Sequence, residues 1–122
     1  MQTIKIEKDS VKLKTTLKEL IVLNNSFKEV VTNLGWEFKI RTGFKVEEMK
    51  LIFDSIEEPI KTGAKETEIQ FLNKEIVAFN QVLNEVTNGI KVDNFELKIG
   101  VTKQEAKELL SYISDLLNSI PR

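Results

Sequence analysis

The chain of 122 residues contains no cysteine and no histidine. The lack of cysteine excludes disulfides, thiolate metal sites and thiol nucleophiles. The lack of histidine removes the usual general base at neutral pH and the commonest transition-metal ligand. Any catalysis would therefore depend on carboxylates, lysine, tyrosine or hydroxyl groups. No such constellation is recognisable, and we predict no catalytic, cofactor-binding or metal-binding residues.

The chain also lacks an excess of charge of one sign and any long apolar run. Its 18 basic and 19 acidic residues leave a formal net charge of −1, so no global field attracts nucleic acid or an anionic membrane. The longest apolar stretches, such as Leu20–Leu23, are too short to span a bilayer. We therefore predict no nucleic-acid partner, no membrane partner and a cytoplasmic location.

What the chain does contain is the composition of an ordinary globular domain, with 41% hydrophobic and 30% charged residues. This length suits one compact domain with its own core. Within it, residues 13–32 align with 69–88, and residues 38–56 with 95–113. The alignments contain ten identical pairs, whereas this composition gives roughly three by chance. We therefore predict an internal duplication.

Each predicted repeat has the order strand, helix, strand, helix. The first opens with alternating residues that predict a hairpin turning at Lys8-Asp9, followed by a helix with a capping box of Thr16 and Glu19. The second opens with a strand over 67–72 and a helix capped by Asn73. A second capping box, of Thr102 and Glu105, begins the last helix.

Alternation of apolar and polar residues also predicts strands over 36–41 and 95–98, each followed by a glycine turn, Gly43 or Gly100, into a helix. We assign residues 1–56 to the first repeat, 57–68 to an exposed linker and 69–122 to the second repeat. The predicted fold class is α/β or α+β. The two strand-helix-strand-helix repeats form one compact domain with a pseudo-two-fold axis.

Residues 82–110 resemble a group of small, largely uncharacterised bacterial proteins. The matching motifs are Asn84-Glu85-Val86, Asn88-Gly89-Ile90, Phe95-Glu96-Leu97-Lys98-Ile99-Gly100 and Glu105-Ala106 before Leu109-Leu110. Lys98 stands where that pattern has arginine, and Arg41 supplies an arginine in the first half. Such proteins look like those encoded beside secreted or contact-delivered toxins, where the neighbour is an immunity protein. The resemblance therefore implies a toxin as the partner.

Arg41 is conspicuous because the chain otherwise uses lysine almost throughout. An arginine on a strand indicates a bidentate carboxylate partner. Glu29 and Glu85 occupy equivalent places on the helices that precede Arg41 and Lys98. We predict structural ion pairs of Arg41 with Glu29 and of Lys98 with Glu85, with partner binding by Arg41 as the alternative.

Trp36, the only tryptophan, is expected in the core beside Phe38, unless it is exposed and anchors an interface. The equivalent residues Asn24 and Asn80 either make a buried hydrogen bond between helices or line a polar contact surface. The adjacent acids Glu57 and Glu58 are expected on a solvated face, because neighbouring helical residues point apart.

We therefore predict a non-enzymatic protein-binding module. Its most specific form is an immunity or inhibitor protein that occludes a partner stoichiometrically. The candidate partner-binding residues are Arg41, Glu37, Trp36, Glu57 and Glu58, and the candidate structural residues are Glu29, Glu85, Lys98, Gly43, Gly100, Asn24 and Asn80. Two alternatives stay open: a structural or regulatory homo-oligomer, and an enzyme with a carboxylate or lysine site between the repeats. Either a monomer or a homodimer is expected.

Overall fold

The chain begins with a β-hairpin and then alternates helices with one further strand. The structure is a computed structural model that describes residues 1–121. The elements in chain order are β1 (Gln2–Ile6), β2 (Ser10–Thr16), α1 (Leu17–Leu34), α2 (Phe38–Thr42), α3 (Val46–Asp54), α4 (Glu57–Thr62), β3 (Glu66–Leu72), α5 (Asn73–Asn84), α6 (Phe95–Ile99) and α7 (Lys103–Ser119). A 3-10 turn (Gly35–Glu37) precedes α2, and a π-helical turn (Glu85–Gly89) extends α5.

The strands form one antiparallel three-stranded sheet in the order β1-β2-β3. The predicted hairpin and the predicted third strand are both confirmed. Leu13, in the central strand, pairs with Thr3 on one side and Ile69 on the other. Because strand residues alternate between the two faces, Val11 and Leu13 point into the helical layer, where both are fully buried. The chain is a mixed α/β protein with one core between sheet and helices.

The long helices begin where the sequence predicts. Thr16 accepts a hydrogen bond from the Glu19 backbone N–H at 3.1 Å, and the Glu19 carboxylate accepts one from the Thr16 N–H at 2.8 Å. Thr102 and Glu105 form the same capping box at α7. Asn73 is the first residue of α5, not its cap, because its side-chain amide instead donates to the Lys8 carbonyl across the sheet.

Aromatic rings from both halves meet in the core. Phe27 on α1 stacks on Phe53 of α3, with ring centroids 4.5 Å apart. Phe53 then packs edge-on against Phe79 of α5 at 5.4 Å, and Phe79 against Phe71 of β3 at 5.0 Å. Such offset and edge-on contacts add to the stabilisation from apolar burial alone. This continuous chain of rings makes the two halves parts of one core.

The predicted strands over 36–41 and 95–98 are wrong, since both segments are helical. In residues 1–121 the sheet consists of β1, β2 and β3, and neither segment pairs with any of these strands. A helical turn satisfies its backbone hydrogen bonds locally. Gly43 and Gly100 end the short helices α2 and α6 with φ angles of 81° and 105°, a conformation that glycine adopts without a Cβ penalty. Each glycine therefore joins two helices.

Residues 57–68, predicted as an exposed linker, contain α4 and the first part of β3. Glu57 and Glu58 are exposed in the first turn of α4. Pro59 explains why α3 and α4 are separate helices. Its ring excludes a hydrogen bond to the Ser55 carbonyl and collides with that group in a continuous helix. α3 accordingly stops at Asp54.

The two halves share one arrangement around the β2-β3 pair. Leu13 pairs with Ile69, its counterpart 56 residues later. The Leu17 N–H donates to the Lys65 carbonyl at 2.9 Å, and the Asn73 N–H donates to the Asp9 carbonyl at 3.0 Å. These two bonds are equivalent under the same offset, as an approximate two-fold axis through the Leu13–Ile69 pair requires. The duplication of the sequence itself stays a prediction.

Candidate functional site

The most prominent apolar surface lies at the corner between α1 and α2. We call residues 35–42 the Trp36 corner. Gly35 ends α1 with a φ angle of 53°, and the chain then makes a 3-10 turn before α2. Phe38 and Thr42 are buried four positions apart, which fixes the inner side of the corner.

The outer side of the corner is apolar. Trp36 is 82% exposed and Ile40 is 76% exposed. In a helical segment, residues four positions apart lie on the same side, so the two side chains form one ridge. The expectation that Trp36 is a core residue is therefore wrong. A strand would have placed it on the same face as Phe38, but the helical turn separates them.

Arg41 anchors the corner to the other half of the chain. Its guanidinium donates from Nη2 to the Glu85 carboxylate at 2.5 Å. The Glu85 side chain is 7% exposed, whereas that of Arg41 is 36% exposed. Loss of the guanidinium would leave this buried carboxylate without a charge partner, which is strongly destabilising. The pair thus connects α2 to the π-helical turn after α5.

Glycine is required at position 89, in the π-helical turn, because a side chain there would collide with the ion pair. The Ile90 N–H donates to the Glu85 carbonyl at 2.7 Å, which closes the wide turn. A Cβ on Gly89 would collide with the Glu85 carboxylate and lie 2.8 Å from the Arg41 guanidinium. π-turns are often found at functional sites. Here the turn makes room for the ion pair.

The predicted ion pairs within each half are therefore wrong. Arg41 binds Glu85 and not Glu29, because α2 packs against α5 of the opposite half. Glu29 instead accepts a hydrogen bond from the Asn33 side chain at 3.3 Å. Lys98 is exposed, and within residues 1–121 it forms no ion pair. The matching charges in the sequence indicated a pair but not which half supplies each partner.

The remaining candidate binding residues divide into two groups. Glu37 lies in the Trp36 corner and is half-buried. It is one helical turn before Arg41, although the described residues contain no ion pair between them. Glu57 and Glu58 lie on another element, α4. The structure thus brings Trp36, Glu37 and Arg41 together on one short segment.

The two equivalent asparagines have different surroundings. Asn80 on α5 accepts a hydrogen bond from the Ser114 hydroxyl of α7 at 2.7 Å, so it joins two helices. Asn24 on α1 lines a groove of about 340 Å³ between α1 and α3, together with Phe27 and Phe53. In the first half, Glu57 stands at the place of Ser114. Asn24 consequently contributes to a surface.

The exposure of Ile40 does not follow from the sequence. Ile40 and its counterpart Leu97 on α6 lie in the two segments predicted as strands, yet both are exposed, Leu97 to 85%. The signal was present, since Trp36 and Ile40 have helical spacing, as do Phe38 and Thr42. A five-residue segment is too short for this pattern to outweigh the alternation of a strand.

Comparison with known proteins adds no family to this description. No protein-family model, no curated protein and no solved structure matches the chain. None of the helices in residues 1–121 is long and apolar enough to cross a membrane. In the same residues, no three acidic side chains converge to form a metal site. The fold and its surface therefore define a mixed α/β domain with an exposed aromatic corner.

Proposed function

We propose that the chain is a non-enzymatic protein-binding module and that its partner contacts the Trp36 corner. The observation that carries this proposal is the exposed ridge of Trp36 and Ile40 on a well-anchored segment. Tryptophan is enriched among the residues that dominate binding energy at protein interfaces. An exposed tryptophan beside an exposed isoleucine serves no packing purpose within this chain.

The anchoring of the corner supports the same proposal. Phe38 is 1% exposed below the ridge, and Arg41 is held by Glu85 at its side. A surface that is ordered before binding loses less conformational entropy when the partner arrives. A rigid corner that presents one large aromatic side chain is therefore suited to tight, stoichiometric binding.

The more specific form of the proposal is an immunity-like protein that occludes a toxin. Its support is the resemblance of residues 82–110 to small bacterial proteins. Occlusion requires only that the bound domain covers the partner's site, so it needs no catalytic group. The mixed charge of the chain, with 18 basic and 19 acidic residues, favours recognition by a local patch over long-range attraction.

The test compares capture of partners by matched variants. Trp36→Ala removes the proposed anchor, while Leu97→Ala removes an equally exposed apolar side chain from the other half. We expect the wild type and Leu97→Ala to retain the same partner from host lysate at one-to-one stoichiometry. Trp36→Ala should weaken binding at least about 30-fold, as loss of a central anchor does.

Circular dichroism and thermal unfolding should show that all three proteins are equally folded, since both side chains are exposed. A partner retained equally well by Trp36→Ala would contradict the role of the corner. If no protein binds and the chain instead forms a stable dimer that Trp36→Ala dissociates, the homo-oligomer hypothesis replaces this one.

A further inference from the structure

The outer edge of β3 has unpaired backbone groups. The bonds from Leu17 to Lys65 and from Asn73 to Asp9 show that odd-numbered residues of β3 exchange hydrogen bonds with β2. The N–H and C=O groups of Glu66, Glu68 and Gln70 therefore point away from β2. In residues 1–121 no backbone group pairs with them.

The edge of the sheet that is equivalent in the first half, the outer side of β2, is paired with a strand. The approximate two-fold axis through the Leu13–Ile69 pair relates the outer side of β2 to the outer side of β3. β1 occupies the first position, and no strand occupies the second. Burial reflects the difference, since Leu13 is fully buried whereas Ile69 is partly exposed. The sheet thus has a vacant fourth position.

The way in which β1 is held shows what such a position binds. The amino group of Met1 donates to the Glu19 carboxylate at 2.6 Å. Thr3 shares a hydrogen bond with the Tyr112 hydroxyl at 2.5 Å. Lys5 lies opposite Lys12 of β2. The strand is therefore fixed by backbone pairing, by one cation on a helix-capping glutamate and by contacts with the helical layer.

The second half contains counterparts of the groups that hold β1, and they lie beside the vacant position. Glu75 is equivalent to Glu19 and also accepts from the N–H of the residue before its helix, that of Leu72, at 2.8 Å; its other carboxylate oxygen accepts from the Ser55 hydroxyl at 3.1 Å. It lines a pocket of about 230 Å³ that includes Leu51 and Leu72, and these two leucines are 72% and 48% exposed. Met1 lines the equivalent pocket, which lies beside Glu19 and is closed by residues of α7 such as Leu109. An apolar side chain next to a cation therefore fits this place.

We propose that the free edge of β3 binds an extended segment of a partner protein, antiparallel to β3, with a cation at Glu75 and a basic residue opposite Glu68. The register follows from β1: Lys5 lies opposite Lys12, and the counterpart of Lys12 is Glu68. A basic residue at that place gains a cross-strand attraction that Lys5 lacks in β1. Strand addition to a free sheet edge is a common form of peptide recognition.

The charges around the edge agree with a basic segment. Glu48 and Glu75 line the pocket, with Lys74 as its only cation. Glu68 is exposed and forms no ion pair in residues 1–121, whereas Glu66 is already paired with Lys14 at 3.1 Å. A free acidic side chain on the edge and an acidic pocket at its end both favour a cationic occupant.

The other edge of the sheet differs from this one. The pairing of β1 with β2 shifts its register between Thr3 and Lys5, as it does at a bulge. Bulges are one device by which proteins blunt exposed strand edges. The pairing of β3 with β2 is regular over all seven residues of β3. Strand addition is therefore favoured at β3.

The experiment uses a synthetic peptide with the sequence of residues 1–7, MQTIKIE, and a free amino terminus. Binding to the full-length protein is followed by amide hydrogen exchange detected by NMR. We expect slower exchange, by at least about tenfold, at the amides of Glu68 and Gln70, because these become hydrogen-bonded. Acetylation of the peptide at its amino terminus removes the cation proposed to lie at Glu75 and leaves the lysine charged; it should weaken binding about fivefold.

The matched variants are Glu68→Lys at the free edge and Lys12→Glu at the occupied strand. Glu68→Lys should weaken the peptide about fivefold, and Lys12→Glu should leave its affinity unchanged. Unchanged exchange at Glu68 and Gln70 with millimolar peptide would overturn the proposal. Self-association that protects the same two amides without peptide would also overturn it, since a second copy would then fill the edge. None of these outcomes depends on the Trp36 corner.

Discussion

The two halves of the molecule build equivalent elements but finish them differently. In the second half, α7 is one continuous helix of 17 residues that packs against α5. In the first half, the equivalent residues form two shorter helices, α3 and α4, separated at Ser55-Ile56. The sequence difference that matters is Pro59, whose counterpart in α7 is Leu116. One residue thus decides whether this segment forms one helix or two.

A second contrast concerns the corners that follow α1 and α5. Arg41 binds the buried Glu85, whereas the equivalent pair of Lys98 and Glu29 is not formed in the described residues. Arginine has a planar fork that matches a carboxylate, and lysine is a more strongly hydrated point charge. The two corners therefore differ in how firmly they are held, and the Trp36 corner is the anchored one.

The largest effect is expected from substitutions at two equivalent positions, Pro59 in α4 and Leu116 in α7. Leu116 is 5% exposed in α7. Leu116→Pro removes a helical hydrogen bond and a buried side chain, so the free energy of unfolding should fall by at least about 4 kcal/mol. Pro59→Leu permits a continuous α3–α4 helix and should change the free energy by less than about 1 kcal/mol. Urea unfolding measures both changes in free energy. Similar losses for the two variants would contradict the explanation that Pro59 separates α3 from α4.

An intermediate effect is expected at the ion pair. Arg41→Ala leaves the Glu85 carboxylate buried without its partner. Because Arg41 is itself about one-third exposed, we expect a loss of about 2 kcal/mol in unfolding free energy, below the value for a fully buried pair. Lys98→Ala should change it by less than about 0.5 kcal/mol. Equal losses at both positions would show that the corners are equally anchored.

Gly89→Ala is the companion variant for the ion pair. The new methyl group would displace the Glu85 carboxylate, so it should destabilise the wild-type protein. In an Arg41→Ala, Glu85→Ala background the same substitution should cost much less, because nothing occupies the space. The difference between the two backgrounds, measured by urea unfolding, isolates the steric role of Gly89.

The smallest effect is expected at the start of α7. Hydrogen bonds from the Thr102 backbone and hydroxyl groups lower the pKa of Glu105 below its ordinary value of 4.5. A lowered pKa means that the ionised carboxylate stabilises the folded state above the ordinary pKa. This stabilisation is lost as the pH falls through the lowered value. Glu105→Gln should therefore lower the melting temperature slightly at neutral pH and have no charge-dependent effect in strong acid.

The first-half counterpart sharpens that prediction. Lys45 stands at the place of Thr102, and only its backbone N–H donates to Glu48, at 3.1 Å. Glu48→Gln should consequently have a smaller effect on the melting temperature than Glu105→Gln. A larger effect at Glu48 would mean that the threonine hydroxyl does not strengthen the cap.

Local chemistry explains which elements were predictable. The capping boxes at Thr16 and Thr102 use residues within one turn, so the sequence spacing contains the whole interaction. The hairpin and β3 likewise follow from alternation, and each of these strands has a neighbouring strand to pair with. The segment at 36–41 alternates over a similar length, but neither it nor the segment at 95–98 lies beside a strand, so both are helical. The candidate site was predictable in its residues Trp36, Glu37 and Arg41 but not in its geometry.

The sequence by itself determined the excluded chemistry, the capping boxes at Thr16 and Thr102, the hairpin and β3, because these depend on composition and on neighbouring residues. Only the tertiary structure decided that Arg41 binds Glu85, that Trp36 is exposed and that the edge of β3 is free. Each of these depends on which elements lie side by side. Charge and hydrophobicity in the sequence indicate which groups can interact. The packing of the two halves determines which of these groups are in contact.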